Sequence, residues 1–294
     1  MSHRGSWSVA AGCAAVAVAI AAGCAAAPPP CPIAGPAAPV ASRGAPLWWR
    51  IERSDGRAVW LFGTIHDAGA DEVAPAVWHQ LAAASVFVSE LGSDEPDPLQ
   101  LTALARLPWG RVLDQMLPAD DWWDLVEAML GAMTEDELRH ARPWYALVRL
   151  RAHAARSPRP SMDVAMAERA AARGIAVERL ESWRDQLAAL DASVDAADLS
   201  QAIHERRAVA CQVARLRAAY RASDLPALTR MLLDPVRGDQ LLAERNRRWL
   251  PQIERYLDRG GGFVAVGLGH LLGDAGLPAM LARAGYRVTR DPAP

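Results

Sequence analysis

The sequence predicts an α/β fold, a largely parallel central sheet with flanking helices and a large helical insertion. Short apolar runs typical of strands are separated by segments with helical spacing. Strands separated by helices favour a parallel sheet that helices cover. One helical section is much longer than a simple connection between strands, and no fixed-period repeat indicates a solenoid.

The first two strands form a predicted hairpin. The runs LWWRIE, from Leu47, and AVWLFG, from Ala58, are joined across the step Asp55-Gly56. Glycine supplies the positive φ angle that such a turn needs. The two runs therefore pair as neighbouring antiparallel strands.

A long helical region follows the third strand. Residues 75–84 have a short helix pattern, and residues 86–91, VFVSEL, have a strand pattern. From 97 to 173 apolar side chains recur at helical spacing, and 134–138 places acidic residues in the first turn of a helix. This region is the first part of the predicted helical insertion, which one strand interrupts.

The remainder of the chain returns to alternating strands and helices. Gly174 ends a helix, residues 175–181 form the fourth predicted strand, and helical patterns resume over 182–257 with breaks at Pro226 and Pro235. A fifth strand, a helix and a last strand are predicted at 263–267, 276–284 and 286–290.

Composition and charge limit the classes of partner. The 294 residues are 51% hydrophobic and 22% charged, which is typical of a globular chain. Thirty-two Lys and Arg against 34 acidic residues give a formal charge of −2. We expect no nucleic-acid partner, because no broad cationic surface is available to neutralise a phosphate backbone. The basic side chains are all Arg, and Asn246 is the only Asn.

The amino terminus is predicted to be a lipoprotein signal peptide. Arg4 precedes a small and apolar stretch, the order of an export signal. The stretch is too short and too rich in Ala for a stable membrane span. Its ending, Ala21 to Cys24, resembles a bacterial lipobox. We expect cleavage to remove residues 1–23 and to leave Cys24 as a lipidated amino terminus.

A tether then precedes the folded domain. Residues 24–46 are mostly Ala, Pro and Gly, which keeps a segment extended and solvated, and the predicted domain is 47–294. The protein is expected at the cell envelope, lipid-anchored in the periplasm or at the outer membrane. Ordinary cleavage near residues 25–27 would instead give a soluble periplasmic or secreted protein. An oxidising compartment would allow a disulfide between Cys31 and Cys211.

Two predicted strands end in the same motif. Each apolar strand meets a Gly, and a His follows three residues later: Gly63 precedes His66, and Gly267 precedes His270. Glycine lets the backbone turn sharply off the strand. Ligands of α/β sheets bind beyond the carboxyl ends of the strands, so both histidines are expected at one functional edge.

Two carboxylates are expected at the same edge. Glu90 lies near the end of the third strand, and Glu181 ends the fourth. Imidazole nitrogens and carboxylate oxygens bind Zn²⁺, Mn²⁺ or Co²⁺, and a site with three ligands leaves a position for water. A His paired with a Glu can instead act as a general base without a metal. The residues leave both chemistries open.

One further His lies in a segment that begins like a known motif. His204-Glu205 starts as the zinc-peptidase pattern HExxH does, but Ala208 stands where the second His is needed. We interpret this segment as an ordinary exposed helix.

Three segments of the chain carry a family resemblance. The first is WLFGTIH with VFVSEL, and the second is SMDVAMAERAAARGIAVERLES. The third is LLAERNRRWLPQIERYL, followed by GGGFVAVGLGHLLGDAGLPAMLARAGYRV. In this order they resemble the start, the middle block and the end of the TraB/GumN family, whose members include the Tiki proteins. The resemblance covers essentially the whole predicted domain. It implies a core related to that of erythromycin esterases and ChaN-like haem-uptake proteins.

The resemblance also implies a set of site residues. The Tiki members are metal-dependent, membrane-tethered peptidases that prefer Mn²⁺ or Co²⁺. By resemblance, His66, Glu90 and His270 would form the central, metal-holding set. Arg245 and Asn246 match the Arg-Asn pair of the family.

The middle block adds two acidic positions, Asp163 and Glu181. Ser161 and Met162 stand where the family commonly has a Gly and a small apolar residue, which weakens the match at Asp163. The guanidinium of Arg245 is always charged, planar and a hydrogen-bond donor. It can therefore orient a strand-end glutamate, or bind a substrate carboxylate or a developing oxyanion.

The leading hypothesis is therefore a lipid-anchored cell-envelope hydrolase, a metal-dependent peptidase acting on a peptide or protein. His66, Glu90 and His270 would hold a metal or activate water, while Arg245 and Glu181 would orient them. One alternative is a non-catalytic envelope protein that binds a peptide signal or haem. Another is a metal-independent esterase using His and Glu. The same side chains serve all three.

Overall fold

A computed structural model describes residues 44–92, 97–155, 160–233 and 238–290. The predicted signal peptide, the lipidation site Cys24 and nearly all of the tether lie outside the described residues. Cys211 is disulfide-bonded, and Cys31 also lies outside the described residues. Within the part of the chain that is described, no helix has the length and apolar character needed to cross a membrane.

The centre of the fold is a six-stranded sheet with the strand order β4-β3-β5-β2-β1-β6. The strands are β1 (Trp48–Glu52), β2 (Ala58–Thr64), β3 (Val86–Ser89), β4 (Ala176–Arg179), β5 (Gly262–Gly267) and β6 (Arg287–Thr289). The pairs β2 with β5, β5 with β3, and β3 with β4 are parallel. Within this sheet of the described residues, the two pairs made by β1 are antiparallel. The predicted largely parallel α/β fold is confirmed.

The predicted hairpin is also confirmed. β1 and β2 pair in register from Trp48 opposite Phe62 to Glu52 opposite Ala58. Gly56 in the connecting turn has a φ angle of +87°, the conformation for which its glycine was predicted.

Twelve helices surround the sheet or form the insertion in the described part of the chain. They are α1 (Pro75–Ala82), α2 (Pro98–Ala105), α3 (Ala119–Ala128), α4 (Glu135–Arg139), α5 (Pro143–Ala155), α6 (Met162–Ala172), α7 (Trp183–Ser193), α8 (Ala196–Glu205), α9 (Val209–Ala222), α10 (Leu225–Leu232), α11 (Gly238–Asp258) and α12 (Leu277–Arg283). Local signals set several starts. Thr134 and Ser182 make capping boxes, and Pro226 lies in the first turn of α10.

The buried hydrophobic residues of the described ranges form two clusters. One surrounds the sheet and includes β5, whose residues Phe263 to Val266 are fully buried between β3 and β2. The other lies within the helical insertion, where α3, α5 and α8 bury side chains such as Leu125, Leu147 and Ile203. The insertion therefore has a core of its own beside the sheet.

Two predicted strands end earlier than expected. The third strand was predicted to reach residue 91 and the fourth residue 181, but β3 ends at Ser89 and β4 at Arg179. The backbone N–H groups of Leu180 and Glu181 both bond to the carbonyl oxygen of Glu90. This linkage turns the two chain segments out of the ladder and brings both glutamates together just beyond the sheet.

Candidate active site

Four parallel strands carry the predicted site residues to one edge of the sheet. His66 lies two residues beyond β2, and Glu90 follows β3 directly. Glu181 lies two residues beyond β4, and His270 lies in a 3-10 turn after β5. Thr64 at the end of β2 pairs with Gly267 at the end of β5, so the two Gly-x-x-His loops leave the sheet side by side.

The two motif glycines have separate roles. A Cβ atom at Gly63 would lie 3.3 Å from Cα of Leu268 and would also collide with its side chain. Gly63 therefore allows the loop after β5 to pass close to β2. Gly267 donates its backbone N–H to Oε1 of Glu90 at 2.8 Å.

Arg245, from α11, binds both strand-end glutamates. Its Nη2 donates to Oε2 of Glu90 and to Oε1 of Glu181, each at 2.6 Å, and its Nε donates to Oε2 of Glu181 at 3.2 Å. Only 3% of the Arg245 side chain is exposed. Burial works against its charge, but the two carboxylates outweigh burial and raise the pKa of Arg245.

The charge states of the glutamates differ. Burial tends to raise the pKa of Glu90, yet Arg245 and the neighbouring His270 lower that pKa to about 2. For Glu181, burial outweighs the attraction of Arg245, and the pKa is raised. Glu90 is therefore the firmly ionised partner of the guanidinium.

His270 is fully buried and held on both ring nitrogens. Its Nδ1 lies 2.7 Å from Oδ1 of Asn246, whose Nδ2 donates to the carbonyl oxygens of His270 and Ala275. Because Asn246 accepts at Oδ1, the proton of His270 lies on Nδ1. The lone pair on Nε2 then accepts a hydrogen bond from Nη1 of Arg245 at 3.1 Å. Burial and the Arg245 charge lower the pKa of His270 to about 3, so this ring is neutral.

His66 has a different partner. Its Nδ1 lies 2.6 Å from Oδ2 of Asp163, in the first turn of α6, and Oδ1 of Asp163 accepts the hydroxyl of Thr64. The Nε2 atom of His66 is buried and has no hydrogen-bond partner within the described residues. Burial opposes protonation, but the charge of Asp163 outweighs it and raises the pKa of His66 to about 9.

The two histidines therefore belong to neighbouring but separate clusters. The charge of Glu90 contributes to the raised pKa of His66, and the charge of His66 to the lowered pKa of His270. The sequence predicted a set of His66, Glu90 and His270. In the structure Glu90 and His270 share Arg245, whereas His66 pairs with Asp163.

These contacts test the expected divalent metal. His66 would fit one, because its free Nε2 is a ligand atom and Asp163 orients the ring from the other side. Glu90 and His270 do not fit in this arrangement, because Arg245 and the Gly267 amide engage the glutamate oxygens and Arg245 engages Nε2 of His270. With Arg245 in place, no group of three His, Cys, Asp or Glu side chains among the described residues could hold a metal ion.

Three site residues were not predicted. Trp249 lies four residues after Arg245, and its ring lies 4.7 Å from Cζ of Arg245 and 4.3 Å from the His270 ring. That spacing of four residues on a helix is a signal from which Trp249 could have been predicted as a neighbour of Arg245. Thr64 lies within the first Gly-x-x-His motif, but nothing in the sequence indicates its contact with Asp163.

Tyr220 is the third unpredicted residue. Its hydroxyl donates to the carbonyl oxygen of Gly63 at 2.6 Å, and burial raises the pKa of Tyr220, which keeps the hydroxyl a donor. Nothing in the sequence near α9 indicates this contact. By contrast, His204 lies on the insertion with 63% of its side chain exposed and bonds to Asp121 of α3.

Comparison with known proteins supports one family. The family model described as the TraB/PrgY/gumN family matches residues 47–290. No curated protein and no solved structure matches the chain.

Proposed function

The chain belongs to the TraB/PrgY/gumN family, and we propose that it is a hydrolase of acyl bonds in which His66 activates water. One observation carries the proposal. Nδ1 of His66 is bonded to Asp163 at 2.6 Å, while its Nε2 is buried and has no hydrogen-bond partner within the described residues. A carboxylate on one ring nitrogen and a free second nitrogen are what a general base needs.

The proposed reaction has two steps. The neutral Nε2 of His66 takes a proton from water as the water oxygen bonds to the carbonyl carbon of the substrate. The bond from that carbon to the leaving amine or alcohol then breaks, and the proton moves from Nε2 to the leaving group. Asp163 holds the Nδ1 proton throughout and stabilises the imidazolium that exists between the steps. Neither step uses a metal.

Arg245, Glu90, Glu181 and His270 form a group of bonded side chains, called here the Arg245 cluster. In this proposal the cluster positions the segments that follow the strands. Arg245 joins Glu90 to Glu181, and Glu90 also accepts the Gly267 amide. Three strand ends are thereby tied together beside the loop that carries His66. In this proposal these contacts keep the strand ends fixed while His66 exchanges its proton.

The substrate class and the location are part of the same proposal. A peptide or protein of the cell envelope is the proposed substrate, and lipidation at Cys24 is the proposed anchor. The sequence Ala21-Ala22-Gly23-Cys24 after an apolar stretch supports the anchor.

A metal-dependent peptidase is the second candidate. The free Nε2 of His66 favours it, because a divalent ion would need such a ligand atom. This candidate requires Arg245 to release Glu90 and His270 before either can reach the ion.

The test is turnover by the full-length protein on a panel of peptides and simple esters, with and without EDTA. His66→Ala and Asp163→Asn are compared with wild type, and His153→Ala, an exposed His of α5, is the matched control. We expect His66→Ala to lower turnover by about 100-fold or more, as loss of a general base does. EDTA should have no effect.

Each other outcome has a distinct meaning. Full turnover by His66→Ala contradicts the role of His66. Loss of turnover in EDTA, with recovery in Mn²⁺ or Co²⁺, favours the second candidate. Saturable binding of a peptide or haem without turnover contradicts hydrolysis altogether.

A further inference from the structure

We infer that the guanidinium of Arg245 is the resident cation of this centre and holds the position that a divalent ion would need, so that removing it creates a divalent-cation site. Among the described residues, three polar side chains contact the guanidinium. Glu90 and Glu181 each accept from Nη2 at 2.6 Å. The Nε2 atom of His270 lies 3.1 Å from Nη1.

These groups are the ligand types of a transition-metal site. Carboxylate oxygens and imidazole nitrogens are both ligands of Zn²⁺ and related divalent ions, and a site with three protein ligands leaves a position for water. They arrive from the ends of three strands and meet at one cation. The exposed fraction of the side chain is 5% for Glu90, 5% for Glu181 and 0% for His270, so the meeting point is shielded from water.

His270 is already oriented as a metal-bound imidazole would be. Asn246 binds the Nδ1 side of the ring, and the lone pair on Nε2 faces the cation. Metal-bound histidines are fixed in the same way, with an acceptor on the nitrogen that does not bind the metal. The ring would therefore need no flip to bind an ion in place of the guanidinium.

The guanidinium and a divalent ion cannot share the position. Transition-metal ions lie about 2.0–2.2 Å from nitrogen and oxygen ligands. The guanidinium nitrogens already lie 2.6–3.1 Å from the same atoms, and two cations in a buried place repel strongly. Trp249 covers the guanidinium at 4.7 Å, so Arg245 is packed where it is.

The experiment is a titration of full-length protein with Co²⁺, followed by its visible absorption and by the melting temperature. Arg245→Ala is compared with wild type and with Arg247→Ala, an exposed Arg of the same helix. We expect Arg245→Ala to bind a single equivalent of Co²⁺ with a Kd roughly 100-fold lower than that of wild type. Its melting temperature should rise on binding. Adding His270→Ala to Arg245→Ala should abolish both effects.

Two results would overturn the inference. One is a folded Arg245→Ala protein that binds Co²⁺ no better than wild type. The other is wild-type protein that binds Co²⁺ and loses that binding in His270→Ala, because the guanidinium would then not occupy the ion position. If Arg245→Ala does not fold, the comparison of Co²⁺ binding by wild type and by His270→Ala tests the inference by itself. All measurements report binding, so they stand whether or not the protein hydrolyses any substrate.

Discussion

Gly267 donates its backbone N–H to Oε1 of Glu90 at 2.8 Å, which bonds the end of β5 to the residue that follows β3. The other carboxylate oxygen of Glu90 accepts from Arg245. One buried side chain thereby joins two strands and a helix. The stability of the strand ends should depend on the charge of Glu90.

Glu90→Gln tests this dependence. The amide keeps the size of the side chain but removes the charge that faces Arg245, and breaking a buried ion pair costs on the order of 3 kcal/mol. Urea unfolding should show a loss of that size, with Glu127→Gln, an exposed Glu of α3, close to wild type. Equal unfolding midpoints for both variants would contradict the assigned role of Glu90.

Stability should have a maximum near pH 6.5. The pKa of His66 is raised to about 9, so its stabilising effect is complete below pH 6.5 and is lost as the pH rises through about 9. The pKa of His270 is lowered to about 3. The unfolded chain therefore binds more protons at His270 below pH 6.5, and stability falls as the pH falls.

The two sides of this curve can be separated. At pH 5 the His270 contribution amounts to a loss on the order of 2 kcal/mol. His270→Gln should flatten the acid side, and His66→Ala should flatten the alkaline side, in unfolding measured from pH 5 to pH 9.5. A variant that lowers stability equally at every pH would argue against the assigned protonation state.

Asn246→Asp should raise the pKa of His270. The change places a carboxylate beside Nδ1, 2.7 Å from the present amide oxygen, and a nearby negative charge favours the imidazolium. An NMR titration of ¹⁵N-labelled histidines, with His270→Gln to assign the signal, measures the shift. An unchanged His270 titration would mean that Asn246 does not control the ring.

Gly63→Ala should destabilise the sheet edge. The new Cβ would collide with Leu268, and overpacking of this kind costs about 1–3 kcal/mol. The double variant Gly63→Ala with Leu268→Ala should recover part of the loss attributable to the collision. Thermal melting of the single and double variants checks both expectations, and an additive pair would contradict the contact.

If His66 is the base of a hydrolase, turnover should increase with pH toward about pH 9. The neutral ring is the reactive form, and the raised pKa of His66 makes it scarce at neutral pH. Asp163→Asn removes the charge that raises this pKa, so the rise should move to lower pH while the maximum rate falls. A rate that decreases through pH 9 would assign His66 as an acid instead.

Local patterns in the chain were sufficient to predict the strands, the helical insertion and the position of the two Gly-x-x-His motifs at strand ends. Burial of apolar runs and the turn preference of glycine act over a few residues, so β2 and β5 could be located without a structure. The convergence of His66, Glu90, Glu181 and His270 on one sheet edge also followed, because parallel strands end together.

Which side chains bind each other was decided only by the tertiary structure. The resemblance grouped Glu90 with both histidines, and the expectation that Arg245 orients a strand-end glutamate agrees with its bond to Glu90, 155 residues away. The pairing of His66 with Asp163, 97 residues away, in place of Glu90 was not predicted. Such pairings depend on where α6 and α11 pack against the sheet and on the angle at which each side chain enters the buried space. Short-range patterns carry no information on either, so the division into a His66 pair and an Arg245 cluster appears only when the chain is folded.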